Sequence, residues 1–254
     1  MSELHFPVYL RLGTLSLHPH FVFEALAYFF GFQTFLWLRR RGDDWMAVSQ
    51  RLSIVAAAIL GAALGSKLLF WLTDPARTLQ NWSDPHALLG GKTIVGGLVG
   101  GLFLVEWVKK RMGITRSTGD PFAISMTVGI IIGRIGCFLT GLDDHTYGNP
   151  TQLPFGIDFG DGVRRHPTQL YEMLWTGCML FFLLRMKRMP HREVDLFKLF
   201  LVGYLGFRFL IDFLKPGIFF LGLTAIQWVC LVTLLFYRRD LSILLGGRRG
   251  MSHG

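Results

Sequence analysis

Seven stretches of mostly apolar residues, separated by polar connections marked with glycine and proline, divide this chain from end to end. They run approximately from His20 to Leu38, Ser53 to Leu72, Thr93 to Val108, Phe122 to Thr140, Thr168 to Leu184, Leu196 to Leu214 and Ile218 to Tyr237. Each fits the roughly 17–25 residues a helix needs to cross the hydrocarbon core of a bilayer. The pattern predicts an all-α, polytopic membrane protein with about seven transmembrane helices and a single transmembrane domain over residues 1–254. The third stretch is short and glycine-rich (Gly96, Gly97, Gly100, Gly101), so it should pack closely or border a cavity. The second carries Gly61-x-x-x-Gly65, a spacing that lets two helices approach each other.

Composition agrees with that class: 51% of the 254 residues are hydrophobic, 23 are phenylalanine and only 17% are charged. The net charge of +9 raises the question of nucleic acid, and the placement of the charge answers it. Of 26 basic residues, 17 follow the first, third, fifth and seventh stretches: Arg39, Arg40, Arg41 and Arg51; Lys109, Lys110, Arg111 and Arg116; Arg185, Lys187, Arg188, Arg192 and Lys198; Arg238, Arg239, Arg248 and Arg249. The intervening connections hold six, namely Arg11, Arg77, Lys92, Arg164, Arg165 and Lys215. This is the positive-inside asymmetry; it predicts an N-terminus outside and a C-terminus in the cytoplasm. The basic loops then meet anionic membrane lipids, and no nucleic-acid partner is expected.

No basic n-region followed by an uninterrupted apolar run opens the chain, so no cleavable signal peptide is expected. Cys137, Cys178 and Cys230 lie far apart with no CxxC spacing, which predicts no metal site and no disulfide framework. They read as small core residues, with a reactive thiol at Cys137 as the alternative. Residues 141–167 form the longest connection, polar and glycine-rich. They are expected to make an external loop or short hairpin over Arg134. The connection from Thr73 to Lys92 is expected to hold a short amphipathic helix in the interface. No internal repeat is visible, which counts against a transporter.

Three basic residues remain in or beside apolar stretches: Lys67, Arg134 and Arg208. A charge there costs about 2.5–3.5 kcal/mol on insertion scales. Arg134 could meet an anion in a polar cavity, snorkel to the headgroups, or pair with a carboxylate for packing. A second polar group, His166-Pro167-Thr168-Gln169-Leu170-Tyr171-Glu172, opens the fifth stretch. Pro167 suits a helix start, capping accounts for Thr168, and Gln169 and Glu172 share a helix face. In the sixth stretch Arg208 and Asp212 stand four apart and can pair; such a pair is equally consistent with a purely structural role.

These segments together resemble the prolipoprotein diacylglyceryl transferase family. The resemblance rests on Gly133-Arg134-Ile135-Gly136-x-Phe138, Tyr147-Gly148-x-Pro150-Thr151, the His166–Glu172 segment and Phe207-Arg208-Phe209-x-x-Asp212-Phe213. Weaker agreement lies at Leu15-Ser16-Leu17-His18, Gly96-Gly97-Leu98 and Gly222-Leu223-Thr224-x-x-Gln227. The chain also departs from the family pattern. Asp212 stands where glutamate is usual. Cys137 and Thr140 replace two asparagines, Leu142 or Asp143 occupies a glutamate position, and extra residues precede Tyr147. Val95 takes a histidine's place, and His20 aligns with a tyrosine.

The resemblance implies transfer of diacylglyceryl from phosphatidylglycerol to the lipobox cysteine thiol of a preprolipoprotein, at its signal-peptide region, in the bacterial cytoplasmic (inner) membrane. No cofactor is implied. Arg134 and Arg208 would contact the phosphate, with Glu172 and Asp212 orienting them. Gln169 and Tyr171 would hydrogen-bond the headgroup, and Gly148 would belong to the substrate-binding side. With Val95 at the histidine position, His20 or His166 is left as the base, since imidazole titrates near neutral pH. A non-catalytic homologue that binds phospholipid or precursor as a scaffold, and a transporter of small solutes or lipid, are the alternatives.

Overall fold

Long runs of Leu, Ile, Ala and Phe without internal proline satisfy their own backbone as helix, and helices account for most of the chain. The computed structural model describes residues 5–41, 46–188 and 195–238. The basic residues Arg192, Arg239, Arg248 and Arg249, and residues 1–4, lie outside the described residues. A short antiparallel hairpin, β1 (Leu10–Leu12) and β2 (Leu15–Leu17), precedes α1 (Pro19–Arg40). Then come α2 (Val48–Thr73), the short α3 (Pro75–Gln80) and α4 (Pro85–Gly90), α5 (Ile94–Arg111) and α6 (Asp120–Thr140). A 3-10 turn, Gly141–Asp144, leads to the antiparallel pair β3 (Ile157–Asp158) and β4 (Arg164–Arg165). The remainder is α7 (Thr168–Lys187), α8 (Asp195–Ile211), a 3-10 turn Asp212–Leu214, the pair β5 (Phe219–Phe220) and β6 (Leu223–Thr224), and α9 (Ala225–Phe236).

Three of these helical segments are long and apolar enough to cross a membrane: Pro19–Arg40, Val48–Thr73 and Asp120–Asp144. The expected stretch from Ile218 to Tyr237 is corrected. Its first residues form the β5–β6 hairpin, which turns at Leu221 (φ 51°) and Gly222 (φ 80°). The helix starts only at Ala225 and has 12 residues. Thr224 explains that start: its hydroxyl accepts from Gln227 N while the Gln227 side chain returns to Thr224 N, a capping box.

By its contacts the chain forms two units. The first holds the β1–β2 hairpin, α1, α6, the β3–β4 segment, α7 and the beginning of α8. In it α1 and α7 both pack on α6. Gly136 permits the α1 contact, since a Cβ there would lie 2.7 Å from that of Phe23. The second unit holds α2 to α5, the end of α8 and α9. Its axis is the α2–α5 pair, where Gly61 and Gly65 face Gly96 and Gly100. A methyl group on Gly65 would fall 2.8 Å from the Cα of Gly100.

Polarity is inverted relative to a water-soluble fold. Phe21, Tyr28 and Phe29 on α1, Leu60 and Leu64 on α2 and Phe181 on α7 are exposed. Ser125, Thr127, Arg134, Gln169, Glu172 and Thr176 are buried. Small and polar residues inside with large apolar ones outside is the arrangement expected of helices whose solvent is lipid. Lys67 finds a local explanation. Its Nζ donates to Leu89 O and, at 2.6 Å, to Gly91 O, so it caps the end of α4.

Candidate functional site

The polar residues of the first unit gather where α6 ends and α1 and α7 begin. Pro19 opens α1 at its first turn, which sets His20 beside the last turn of α6. Gly141 ends α6 with a positive φ of 71°, turning the chain so that Asp144 points back toward His20. Pro167 caps α7 without a side-chain bond. Thr168 is therefore no cap: its hydroxyl donates to Thr146 O at 2.5 Å and ties α7 to the preceding loop.

Arg134 lies in the next-to-last turn of α6 and is 6% exposed. Its Nη2 sits 3.0 Å from Oε2 of the fully buried Glu172 on α7. Its Nη1 donates to Cys137 Sγ at 3.6 Å. Of the readings open to Arg134, snorkelling is excluded by this burial. One turn before Glu172 stands Gln169, 1% exposed, whose amide finds no partner at either end among the described residues. A buried amide left open at both ends is rare in a folded protein and marks room for a ligand's polar groups.

The two candidate histidines have different neighbours. His166 Nδ1 is 3.2 Å from Tyr171 Oη. The His166 backbone holds the loop in place: Gly148 N donates to His166 O at 2.9 Å, and His166 N donates to Asn149 O at 3.1 Å. Gly148 fits because it has no side chain, since a Cβ would lie 2.6 Å from His166 Cβ. His20 Nδ1 is 2.6 Å from Asp144 Oδ1, and its Nε2 is 3.5 Å from Glu24 Oε2. The Asp144 carboxylate therefore lies directly against Nδ1. Cys137 completes this group: one donor atom each from His20, Cys137 and Asp144 lie within 4.8 Å of one another.

Cys137 is thus no simple core residue, and Asp144 and Glu24 were absent from the sequence-based candidates. The only local signal for Asp144 is its position among the extra residues before Tyr147.

In the second unit, Arg208 Nη2 donates to Asp212 Oδ1 at 3.0 Å, and both are buried. Asp212 Oδ2 accepts from Thr224 Oγ1 at 2.8 Å, while Gln227 Nε2 donates to Phe209 O at 3.0 Å. The arginine is therefore held by a carboxylate that is itself fixed by the cap of α9. Val95 is 1% exposed in this unit and contributes only packing.

Residues 7–238 match the family model described as prolipoprotein diacylglyceryl transferase. The phosphatidylglycerol–prolipoprotein diacylglyceryl transferase of Bordetella bronchiseptica is 34% identical over 247 residues, covering 90% of this chain and 91% of that one. The Bordetella parapertussis protein of the same name is 32% identical over 253 residues, again with 90% and 91% coverage. That of Vibrio vulnificus is 32% identical over 234 residues, covering 85% and 81%.

Proposed function

This chain belongs to the prolipoprotein diacylglyceryl transferase family, and from that premise we propose that it carries the diacylglyceryl group of phosphatidylglycerol to the cysteine thiol of a preprolipoprotein. It is a membrane protein and a transferase of lipoprotein biosynthesis. Its long apolar helices cross the bacterial inner membrane, with the N-terminus outside and the C-terminus in the cytoplasm; the 17-to-6 split of loop charge supports this orientation. Residues 141–167 then lie on the outer face, over the site, where secreted precursors and phosphatidylglycerol meet.

In the reaction the acceptor sulfur bonds to the glyceryl carbon. The carbon–oxygen bond to phosphate breaks, and its electron pair leaves with glycerol phosphate. Negative charge grows on the phosphate as that bond breaks. A guanidinium provides a permanent charge and a two-point contact to phosphate oxygens, and in a site with little water its effect is strong. Arg134 is the primary phosphate contact, aimed by Glu172. Arg208, fixed by Asp212, is the second candidate. Gln169 and Tyr171 take the glycerol hydroxyls, and Gly148, packed against His166, belongs to the substrate-binding side. The buried Arg134–Glu172 pair beside the unpartnered Gln169 amide carries this reading. His20 is the better supported of the two imidazoles for handling the thiol proton, because it meets Asp144 and Cys137 while His166 is engaged with Tyr171.

The test is purified protein in vesicles containing phosphatidylglycerol, presented with a lipobox peptide. Thioether formation with release of glycerol phosphate is expected, as is complementation of a strain depleted of its own transferase. Val95 at the family's histidine position favours a second reading, a scaffold that binds phosphatidylglycerol or precursor. Binding of that lipid without any transfer would establish the scaffold and remove the transferase.

A further inference from the structure

His20, Cys137 and Asp144 come from three separate segments: the first turn of α1, the last turn of α6 and the turn that follows it. Each offers one donor atom, and the three donors lie within 4.8 Å of one another. An imidazole, a thiol and a carboxylate form a set that suits zinc. Donor atoms of a tetrahedral zinc site, with bonds of about 2.0–2.3 Å, stand roughly 3.3–3.8 Å apart. Small side-chain movements bring this cluster to that spacing, chiefly by opening the 2.6 Å approach of His20 to Asp144.

The surroundings are those that hold ligands to a metal. A coordinating histidine usually gives its other ring nitrogen to a carboxylate. Here, with Nδ1 turned to Asp144, the other nitrogen Nε2 is 3.5 Å from Glu24 Oε2, and Glu24 Oε1 is steadied by Tyr28 Oη at 3.0 Å. The second oxygen of Asp144 accepts from Thr146 Oγ1 at 2.5 Å. Arg134 Nη1 donates to Cys137 Sγ at 3.6 Å and fixes the position of the sulfur. Charge also balances. A divalent cation would be neutralised by one thiolate and one carboxylate, and the adjacent Arg134–Glu172 pair is neutral by itself.

We propose that His20, Cys137 and Asp144 bind a zinc ion whose fourth position receives the acceptor thiol. The second half of this statement rests on the transferase reading; the metal site does not. A thiol is deprotonated outright when it coordinates zinc, and its proton passes to water. The zinc-held sulfur then bonds to the glyceryl carbon as the carbon–oxygen bond breaks, and the phosphate departs with the electron pair, met by Arg134. The product thioether is a weak ligand and leaves. On this proposal His20 acts on the thiol proton through the metal it would hold rather than as a free base.

The experiment uses the full chain purified in detergent, stripped with chelator and titrated with zinc or with cobalt(II) alone. About one metal per chain is expected, with the thiolate-to-cobalt charge-transfer absorption. Cys137→Ser should abolish that absorption, and Glu24→Gln should weaken binding about 10–100-fold. Circular dichroism and gel filtration identify variants that remain folded. Folded wild-type protein that takes up no metal would overturn the proposal and leave a His20–Asp144 ion pair beside a thiol. Stoichiometric binding with transfer unchanged after stripping would overturn the role in thiol activation. Metal binding without any transfer, stripped or loaded, would refute the transferase reading and retain the site.

Discussion

Arg134 on α6 and Glu172 on α7 meet at 3.0 Å with both side chains buried, so each is the other's counter-charge. Removing one partner of a buried pair leaves an uncompensated charge and costs about 3–5 kcal/mol. Arg134→Met should therefore lower the melting temperature of the purified protein markedly. Adding Glu172→Gln should recover most of that stability while transfer remains absent. If stability stays low in the double variant, the arginine stabilises the helices through contacts other than this carboxylate.

Arg134→Lys separates charge from shape. Lysine keeps the positive charge but lacks the planar fork, so the two-point contact to phosphate is lost. Loss of one preorganised donor to a developing charge costs on the order of 10²–10³ in kcat. Transfer in phosphatidylglycerol vesicles should fall by about that factor while lipid binding, followed by spin-label or native mass measurements, falls much less. Equal loss of both would assign Arg134 to ground-state binding.

Asp212 links Arg208 to the cap of α9, and the two halves of that link should respond differently. Thr224→Ala removes the cap and one bond to Asp212, for a cost of about 0.5–2 kcal/mol, and leaves the Arg208 contact in place. Asp212→Asn removes the carboxylate charge facing the buried Arg208 and should destabilise more, by up to about 3–5 kcal/mol. Chemical denaturation of the two variants side by side checks the order.

The sequence already showed the long helices and the buried charges, because both are local signals. A run of apolar residues announces its helix, and an arginine inside one is conspicuous at any position. The β5–β6 hairpin was hidden because Phe219, Phe220 and Leu223 are as apolar as the helix they precede; only Gly222 and the Thr224–Gln227 box mark the boundary. The His20–Cys137–Asp144 cluster was invisible for a different reason. Metal motifs are recognised by short spacing, whereas these three residues are brought together by the packing of α1 on α6 and by the reversal at Gly141. Thr168 misled because a threonine after proline at a helix start normally caps, and here it serves the loop instead.

Val95 supplies a test of how far the family's chemistry can be restored. A histidine at this buried position costs about 1–3 kcal/mol if its nitrogens stay unpaired. Val95→His should nonetheless raise transfer, or make it less dependent on His20, when assayed alone and with His20→Ala. No gain together with unchanged dependence on His20 would show that deprotonation of the thiol has moved permanently to the α1–α6 end of the first unit.

Topology is checked with reporter fusions. Fusions after Leu38, Val108, Leu184 and Tyr237 should report the cytoplasm, and those near Asp84 and Asp158 the exterior. A cytoplasmic signal at Asp158 would invert the orientation and put residues 141–167 on the wrong side for secreted acceptors.

The glycine seam between α2 and α5 has a consequence for anyone reading function out of a mutational library. Gly61, Gly65, Gly96 and Gly100 bring two backbones together with no space for a methyl group, so any larger residue must push the helices apart along their shared length. In a saturation scan scored by growth these four positions should appear as intolerant as Arg134, although the cause is packing. Abundance measured alongside growth would tell them apart: substitutions at the seam should remove the protein from the membrane, whereas Arg134→Lys should leave it there, folded and silent.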